Sequence, residues 1–475
     1  MNYLWAICYD ESRQKQCRSR AEDEEHENEP WRPPAWTAMS LPPRVGHRSE
    51  LGRHTVRVLI VGSGAREHAL AWKLARAEGV EELYAAPGNP GMAALAHCVP
   101  IGADGIVELA EFAASLHMDF TVVGPELPLC LGIADEFARR DLPLLGPSRG
   151  AAEVEGSKVF AKEFCQRYGI PTARAEVARN RDEMARAAKS FGLPVVFKAD
   201  GLAAGKGVFV CRTADQVEEA LVRFFEERTF GVAGERVLVE ECLEGQEVSF
   251  MALTDGSTVL PLASARDYKR LGDGDQGPNT GGMGAVSPAS FPQGLGATIL
   301  RDIVYPAVNG LAQEGRLFRG VLYAGVMATA EGPKLLEFNC RLGDPETQVV
   351  IPRLDGDLLP LLQAAVRGEL GSLRVGWRRE AMACVVLAAA GYPNVPRRGD
   401  LITGLGDALN LEGALVFQAG TVIEDGRLVT SGGRVLSVIG RGPSIAEAVA
   451  TAYQAVAHIH IDGMQYRTDI GKDFA

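Results

Sequence analysis

The chain runs Val56-Arg57-Val58-Leu59-Ile60-Val61-Gly62-Ser63-Gly64-Ala65-Arg66-Glu67-His68 where periodic order begins. A continuous β-branched run meets two glycines separated by one residue, and a helical pattern over 67–77 follows. Strand, tight turn and helix in that order open a doubly wound α/β domain. The alternation continues, with apolar strands over 83–86, 120–123 and 142–145 and helical patterns between them. A nicotinamide dinucleotide would want a third glycine where Glu67 stands. It would also want an acid after the next strand, where Pro87-Gly88-Asn89-Pro90-Gly91 stands instead. Both absences argue against a dehydrogenase. The turn still presents main-chain N–H groups at a helix start, and Arg66 adds a planar donor, so a sugar phosphate monoester suits it. A tight turn with no ligand is the plain alternative.

The stretch 195–208, Val-Val-Phe-Lys-Ala-Asp-Gly-Leu-Ala-Ala-Gly-Lys-Gly-Val, delivers Lys198 on an apolar strand into a loop holding Gly201, Gly205, Lys206 and Gly207. Such a loop can close over a polyphosphate, neutralising it with N–H groups and two ammonium charges. A Walker A loop would need Ser or Thr after Gly205-Lys206, and Gly207 is there instead. Further on, Val237-Leu238-Val239-Glu240-Glu241-Cys242-Leu243 reads as a strand entering an extended linker that can offer main chain to an adenine edge, with Glu247 placed for ribose hydroxyls. In Leu335-Leu336-Glu337-Phe338-Asn339-Cys340-Arg341 the alternation puts Glu337, Asn339 and Arg341 on one strand face. Two oxygen ligands and a guanidinium there suit Mg²⁺ and a phosphoryl group, although a half-solvated strand would look the same. Gly343-Asp344-Pro345 crowds its end. The stretch from Asp267 and Lys269 to Gly284 has too little apolar content for core and reads as a substrate loop.

Outside these motifs, strands are expected over 191–199, 208–211, 237–239, 324–328 and 333–338. A β-rich block follows beyond about 375, with strands over 384–389, 414–418 and 435–439 and a last helix over 445–459. The expected fold is α/β and α+β in several domains. The divisions are 56–156 for the N-terminal doubly wound α/β (Rossmann-like) part, 157–377 for a two-lobed core with a flap lobe near 171–245, and 378–475 for a C-terminal β-rich part. Residues 1–55 carry three of the five Trp, an acidic run and Pro pairs without periodicity, and read as a disordered or artefactual extension. They match neither a signal peptide nor a mitochondrial presequence.

Composition sets bounds on function. With a formal net charge of −12, bulk attraction to nucleic acid or an anionic membrane is not expected, so an anionic ligand must be held by a local cationic cluster. Nine scattered Cys without a CxxC pair fit a reducing cytoplasm better than a disulfide framework or a metal finger. No apolar run approaches the roughly 18 residues of a membrane-spanning helix. The eight His are dispersed, and no Ser/His/Asp arrangement stands out.

Taken together, GSGAREHA, APGNPG, VGPE, EGSK, KADGLAAGKGV, VEECLEGQEVSF, DYKR, GPNTGGMGA, LEFNCRLGDPETQ and a final RTDIG closely resemble the phosphoribosylamine–glycine ligase family of ATP-grasp enzymes, from about Val56 to the C-terminus. Because Val56 falls where that family begins, translation from an alternative start codon there is expected. The resemblance implies ATP-dependent ligation of glycine to 5-phosphoribosylamine through glycyl phosphate, with Mg²⁺ or Mn²⁺, by a cytoplasmic monomer or weak homodimer with no nucleic-acid or membrane partner. It implies that Lys158 and Lys198 contact ATP phosphates under a flap formed by Gly201, Gly205 and Gly207. Glu240 and Leu243 would present main chain to adenine, Glu247 would hold the ribose, and Glu337 and Asn339 the metal. Arg341 and Lys206 would be catalytic. Gly62, Gly64, Arg66 and Asn89 would receive phosphoribosylamine, helped by Asp267, Lys269 and Asp344. Ala65 and Ser431 depart from the frequent Gly and Asn of the pattern without removing a charge. An ATP-grasp carboxylase or another carboxylate–amine ligase of purine biosynthesis is the competing reading.

Overall fold

The computed structural model describes residues 56–202 and 207–474, so the expectations for 1–55, Gly205 and Lys206 lie outside the described residues. The N-terminal part is a five-stranded parallel sheet in the order His97–Cys98, Val80–Pro87, Val56–Gly62, Phe120–Val123, Leu144–Leu145. Val56–Gly62 is central, and Val58, Leu59, Ile60 and Val61 are all fully buried. A parallel strand covered on both faces has no reason to alternate, which is why this one reads as a continuous apolar run. The helix Ala65–Leu74 follows directly.

Two antiparallel sheets come next. The first has the order Ala175–Ala178, Val237–Glu241, Val195–Ala199, Val208–Cys211. Val195, Phe197 and Ala199 pack into a small core with Met184, Leu221 and Phe224. The two-residue period therefore turns Lys198 to the other face. The strand expected over 191–199 begins only at Val195, because Arg181–Phe191 is a helix. Asn180 caps it, its Oδ1 accepting the Glu183 N–H at 2.9 Å, and Gly192 at φ +76° ends it. The second sheet runs Val259–Pro261, Gln246–Thr254, Gly320–Thr329, Gly332–Asn339. Its long strand Gln246–Thr254 is not among the strands expected from the sequence, although Glu247 lies in it.

The C-terminal sheet has the order Arg266–Asp267, Gly284–Ser287, Ala381–Ala388, Arg434–Gly442, Ala414–Gln418, and the helix Ile445–Val456 packs against it. The stretch 267–284, expected to be a substrate loop with too little apolar content for core, is partly built into this core. Both ends of that stretch pair into this sheet, Tyr268, Met283 and Ala285 are buried, and only its middle forms a separate hairpin. Apolar content averaged over the stretch hides two short buried ends. Among the described residues, no helix is long and apolar enough to cross a membrane.

Candidate active site

The two middle sheets meet along the face that bears Lys198. Lys198 Nζ donates to the Leu336 carbonyl at 3.0 Å and pairs with Glu240 Oε2 at 2.6 Å. Lys162, one turn beyond Lys158 on the helix Lys158–Arg167, pairs with the other Glu240 oxygen at 2.7 Å and donates to Thr172 Oγ1 and the Ala173 carbonyl. All three side chains are buried. Burial by itself would raise the Glu240 carboxyl, but Lys198 and Lys162 outweigh it and hold it below the usual range. Glu240 thus acts through its carboxylate. Its main chain pairs with Ala175 on one side and Val196 on the other. Leu243 lies in the short linker after that strand, outside the ladders.

Ser157 caps the lysine helix, its Oγ accepting the Phe160 N–H at 3.0 Å and donating to Asp200 Oδ1 at 2.8 Å. Lys158 Nζ donates to the Gly201 carbonyl at 2.9 Å. At the base of the loop, the Ala199 N–H donates to the Gly207 carbonyl at 2.8 Å. One end of the glycine-rich loop is thereby held by Lys158 and the other by the main chain of the strand that carries Lys198.

Glu337 is the centre of charge. Burial pushes its carboxyl up, but Lys269, Lys198, Lys158 and Arg341 together bring it below the ordinary value. Among the described residues its carboxylate makes no hydrogen bond or ion pair. Gly325 lies opposite it in the ladder, and a Cβ there would come within 3.3 Å of Glu337 Cγ. Beside it a small recess is lined by Glu247, Ser249, Asp267 and Lys269. Lys269 pairs with Glu247 at 3.1 Å, and Asp267 Oδ1 is buried without a partner among the described residues. Burial and the Glu346 carboxylate push Asp267 well above the usual carboxylate range.

Arg341 is clamped from the N-terminal part of the chain. Its Nε meets Glu126 Oε2 at 3.1 Å, and its Nη2 meets Glu155 Oε1 at 3.0 Å and Asn339 Oδ1 at 3.1 Å. Despite burial, the two glutamates raise its pKa. Asp344 accepts from Arg434 Nη2 at 2.8 Å and from Gln348 Nε2 at 2.7 Å.

The glycine turn differs from expectation. Gly62, Gly64 and Gly124 wrap the Glu67 side chain, and a Cβ on Gly124 would lie 1.8 Å from Glu67 Oε1. Glu67 Oε2 accepts the Gly64 N–H at 2.6 Å, so that donor is occupied within the protein. Arg66 is buried, donating to Glu67 Oε1 at 2.6 Å and to the Leu342 carbonyl at 3.1 Å. Asn89 Nδ2 donates to the Ser63 and Gln418 carbonyls at 2.9 and 2.8 Å, and its Oδ1 accepts the Met92 N–H at 3.0 Å. Arg66 and Asn89, expected to receive phosphoribosylamine, also tie the turn to the rest of the molecule. Sequence reading missed Lys162, Glu126, Glu155, Glu67 and Arg434. The spacing of Lys162 four residues after Lys158 was the one available local signal.

Three segments of the phosphoribosylglycinamide synthetase family match in order: its N domain over 56–155, its ATP-grasp (A) domain over 156–347 and its C domain over 382–473. The chain is 47% identical over 418 residues to the phosphoribosylamine–glycine ligase of Brucella melitensis, covering 88% of this chain and 97% of that one. The crystal structure of the Thermotoga maritima phosphoribosylamine–glycine ligase is similar with a TM-score of 0.76 and 38% identity, over 87% of this chain and all of that one. The biotin carboxylase domain of Hydrogenobacter thermophilus 2-oxoglutarate carboxylase, solved with MgADP and bicarbonate, gives a TM-score of 0.63 at 18% identity, covering 86% and 91% of the two chains. That last likeness speaks for the fold alone.

Proposed function

The chain belongs to the phosphoribosylglycinamide synthetase family, and from that premise we infer that Lys158, Lys198 and Lys269, gathered around Glu337, hold the nucleotide phosphates. It is an ATP-dependent ligase that joins glycine to 5-phosphoribosylamine and yields glycinamide ribonucleotide, ADP and phosphate. The competing carboxylase reading rests on fold alone. The observation that carries the residue assignment is Glu337 itself, a carboxylate ringed by four cations yet bonded to none of them.

The carbon of a carboxylate is a poor electrophile, so one glycine carboxylate oxygen first attacks the γ-phosphorus and takes the phosphoryl group. The bond to the β-phosphate oxygen breaks, ADP leaves, and glycyl phosphate remains. The amine of phosphoribosylamine then attacks the acyl carbon, phosphate departs, and the nitrogen loses a proton. Both steps need charge neutralised and reactants aligned more than they need proton transfer. Arg341, oriented by Glu126 and Glu155, keeps one Nη1 N–H beyond its bonds to Asn339 and the Leu342 carbonyl and offers it, with its positive charge, to a transferred phosphoryl oxygen. The unpartnered oxygen of Asp267 is free to accept from a substrate amine. Leu243 in its linker and Glu247 at the start of the next strand face the nucleoside end in this reading.

A divalent cation fits the donor set. Glu337 brings a free carboxylate and Asn339 an amide oxygen with one remaining lone pair, while no group of three or more His, Cys, Asp or Glu side chains could cage a metal among the described residues. Two hard oxygen ligands on a strand are what Mg²⁺ or Mn²⁺ wants when phosphates complete its shell. Such an ion, when bound, neutralises the phosphate oxygens as charge moves onto the leaving diphosphate.

Division of the chain near residues 156 and 377, and a cytoplasmic setting in keeping with seven described cysteines that are all free thiols, belong to the same proposal. The test is steady-state ADP release with glycine and phosphoribosylamine each omitted in turn, run on the wild type and on Glu337→Gln across a Mg²⁺ titration. Turnover should fall at least about a hundredfold, the scale of losing a principal electrostatic contact. Activity within a few-fold of wild type at all metal concentrations overturns the assignment.

A further inference from the structure

A cleft of about 630 Å³, within the range of small-molecule sites, opens beside the glycine turn. It lies outside the carboxyl ends of two neighbouring parallel strands, Val56–Gly62 and Val80–Pro87, a place where open α/β sheets receive ligands. Ser63, Gly64 and Asn89 form its floor, and Arg398, Glu424 and Ser431 from the C-terminal part stand over it. Its inner end borders the chemistry already described, since a Cβ on Gly64 would sit 3.9 Å from Asp344 Oδ2, three residues beyond Arg341.

The cleft holds two ionisable side chains, and they are not paired with each other. Arg397 and Arg398 are adjacent in sequence and opposite in circumstance. Arg397 is fixed by Asp400 at 2.8 Å and by Asp462 at 2.6 Å. Arg398 is exposed and makes no ion pair or side-chain hydrogen bond among the described residues. In a protein with a net charge of −12, an unpaired guanidinium on a polar cleft is a local attraction for an anion. Its planar fork matches two phosphate oxygens at once. The Ser63 and Ser431 hydroxyls, likewise without side-chain partners among the described residues, stand on the same cleft.

We propose that Arg398 anchors the 5′-phosphate of phosphoribosylamine in this cleft, with the amine pointing inward toward Asp344 and Arg341. The proposal deepens the ligase reading and rests on it. It also moves phosphate recognition from the glycine turn, whose Gly64 N–H is taken by Glu67, to a side chain from the far end of the chain.

Two measurements test it. In steady-state kinetics, Arg398→Ala raises KM for phosphoribosylamine roughly ten- to hundredfold, the scale of a charge-assisted contact. Its kcat and its KM for ATP and glycine change less than about twofold, and Arg398→Lys recovers part of the loss. In calorimetry, the wild type binds glycinamide ribonucleotide more tightly than the dephosphorylated riboside, and Arg398→Ala loses that preference. A variant that keeps both the preference and the wild-type KM overturns the role of Arg398. Plugging the cleft with Ser63→Tyr separates the two levels. A raised phosphoribosylamine KM in the plugged enzyme, beside a silent Arg398→Ala, leaves the cleft as the substrate site and removes Arg398 from it. If both variants are silent, phosphoribosylamine binds elsewhere and the reading of the cleft falls as well.

Discussion

Lowering the pH should loosen one joint in particular, where the first helix meets the C-terminal sheet. His68 is 6% exposed, and its Nδ1 accepts the Gln418 N–H at 2.9 Å. Its ring meets Phe417 edge-on with centroids 5.4 Å apart, and Gly91 backs it so closely that a Cβ there would lie 2.3 Å from Cε1. There is no room for water around a charged ring, and Nδ1 cannot both carry a proton and accept one. Burial therefore lowers the His68 pKa from 6.5 to about 4. The unfolded chain binds this proton near pH 6.5 and the native state does not. The stabilisation is complete above that pH and is lost progressively as the pH falls toward 4. At about 1.4 kcal/mol for each tenfold change in proton affinity, the loss comes to roughly 3 kcal/mol at the lower end. Urea unfolding of wild type and His68→Gln at intervals from about pH 7.5 to 4 measures it, since Gln keeps an acceptor and does not titrate. The wild type should lose roughly 3 kcal/mol more than the variant over that window. Parallel stability curves, or an NMR titration placing His68 near 6.5, would refute the reasoning.

Other perturbations test the rest of the architecture. Glu240→Ala leaves Lys162 and Lys198 buried without their shared carboxylate and should cost about 3–5 kcal/mol in denaturant unfolding, a loss a merely surface pair would not show. Gly124→Ala drives a methyl group into Glu67; a destabilisation of about 1–3 kcal/mol is expected, seen as a lowered Tm. Cys165, whose thiol burial pushes up to about 12, and Cys340 and Cys384, whose thiols burial also pushes up, should resist iodoacetamide at about pH 8 in the native enzyme and react once urea is added. Native labelling read by mass spectrometry at any of the three would contradict their burial.

Much of the nucleotide end was legible because its signals are local. A strand that ends in Lys198 and turns at glycines, and a strand whose alternation places Glu337, Asn339 and Arg341 together, are set by a period of two and need no knowledge of distant chain. The glycine turn was legible as a turn, whereas the group its glycines enclose was not. Glycines placed for close approach look alike whether the approaching group is a phosphate or, as here, the carboxylate of Glu67. Helix and strand ends drifted by a few residues where a cap decided them, as at Gly192.

From its sequence alone this chain was determined to be a doubly wound sheet followed by a two-lobed core and a β-rich end, with candidate side chains named and the family evident. Tertiary structure alone decided which charges meet. Arg66 reaches Leu342 across 276 positions and Asn89 reaches Gln418 across 329, and Glu240 is held by two lysines from different elements. It also decided that Arg397 is tied down while Arg398 is left open to the cleft. Periodicity reports which face a residue occupies, whereas pairing depends on what the fold brings to that face, and no local pattern carries that information.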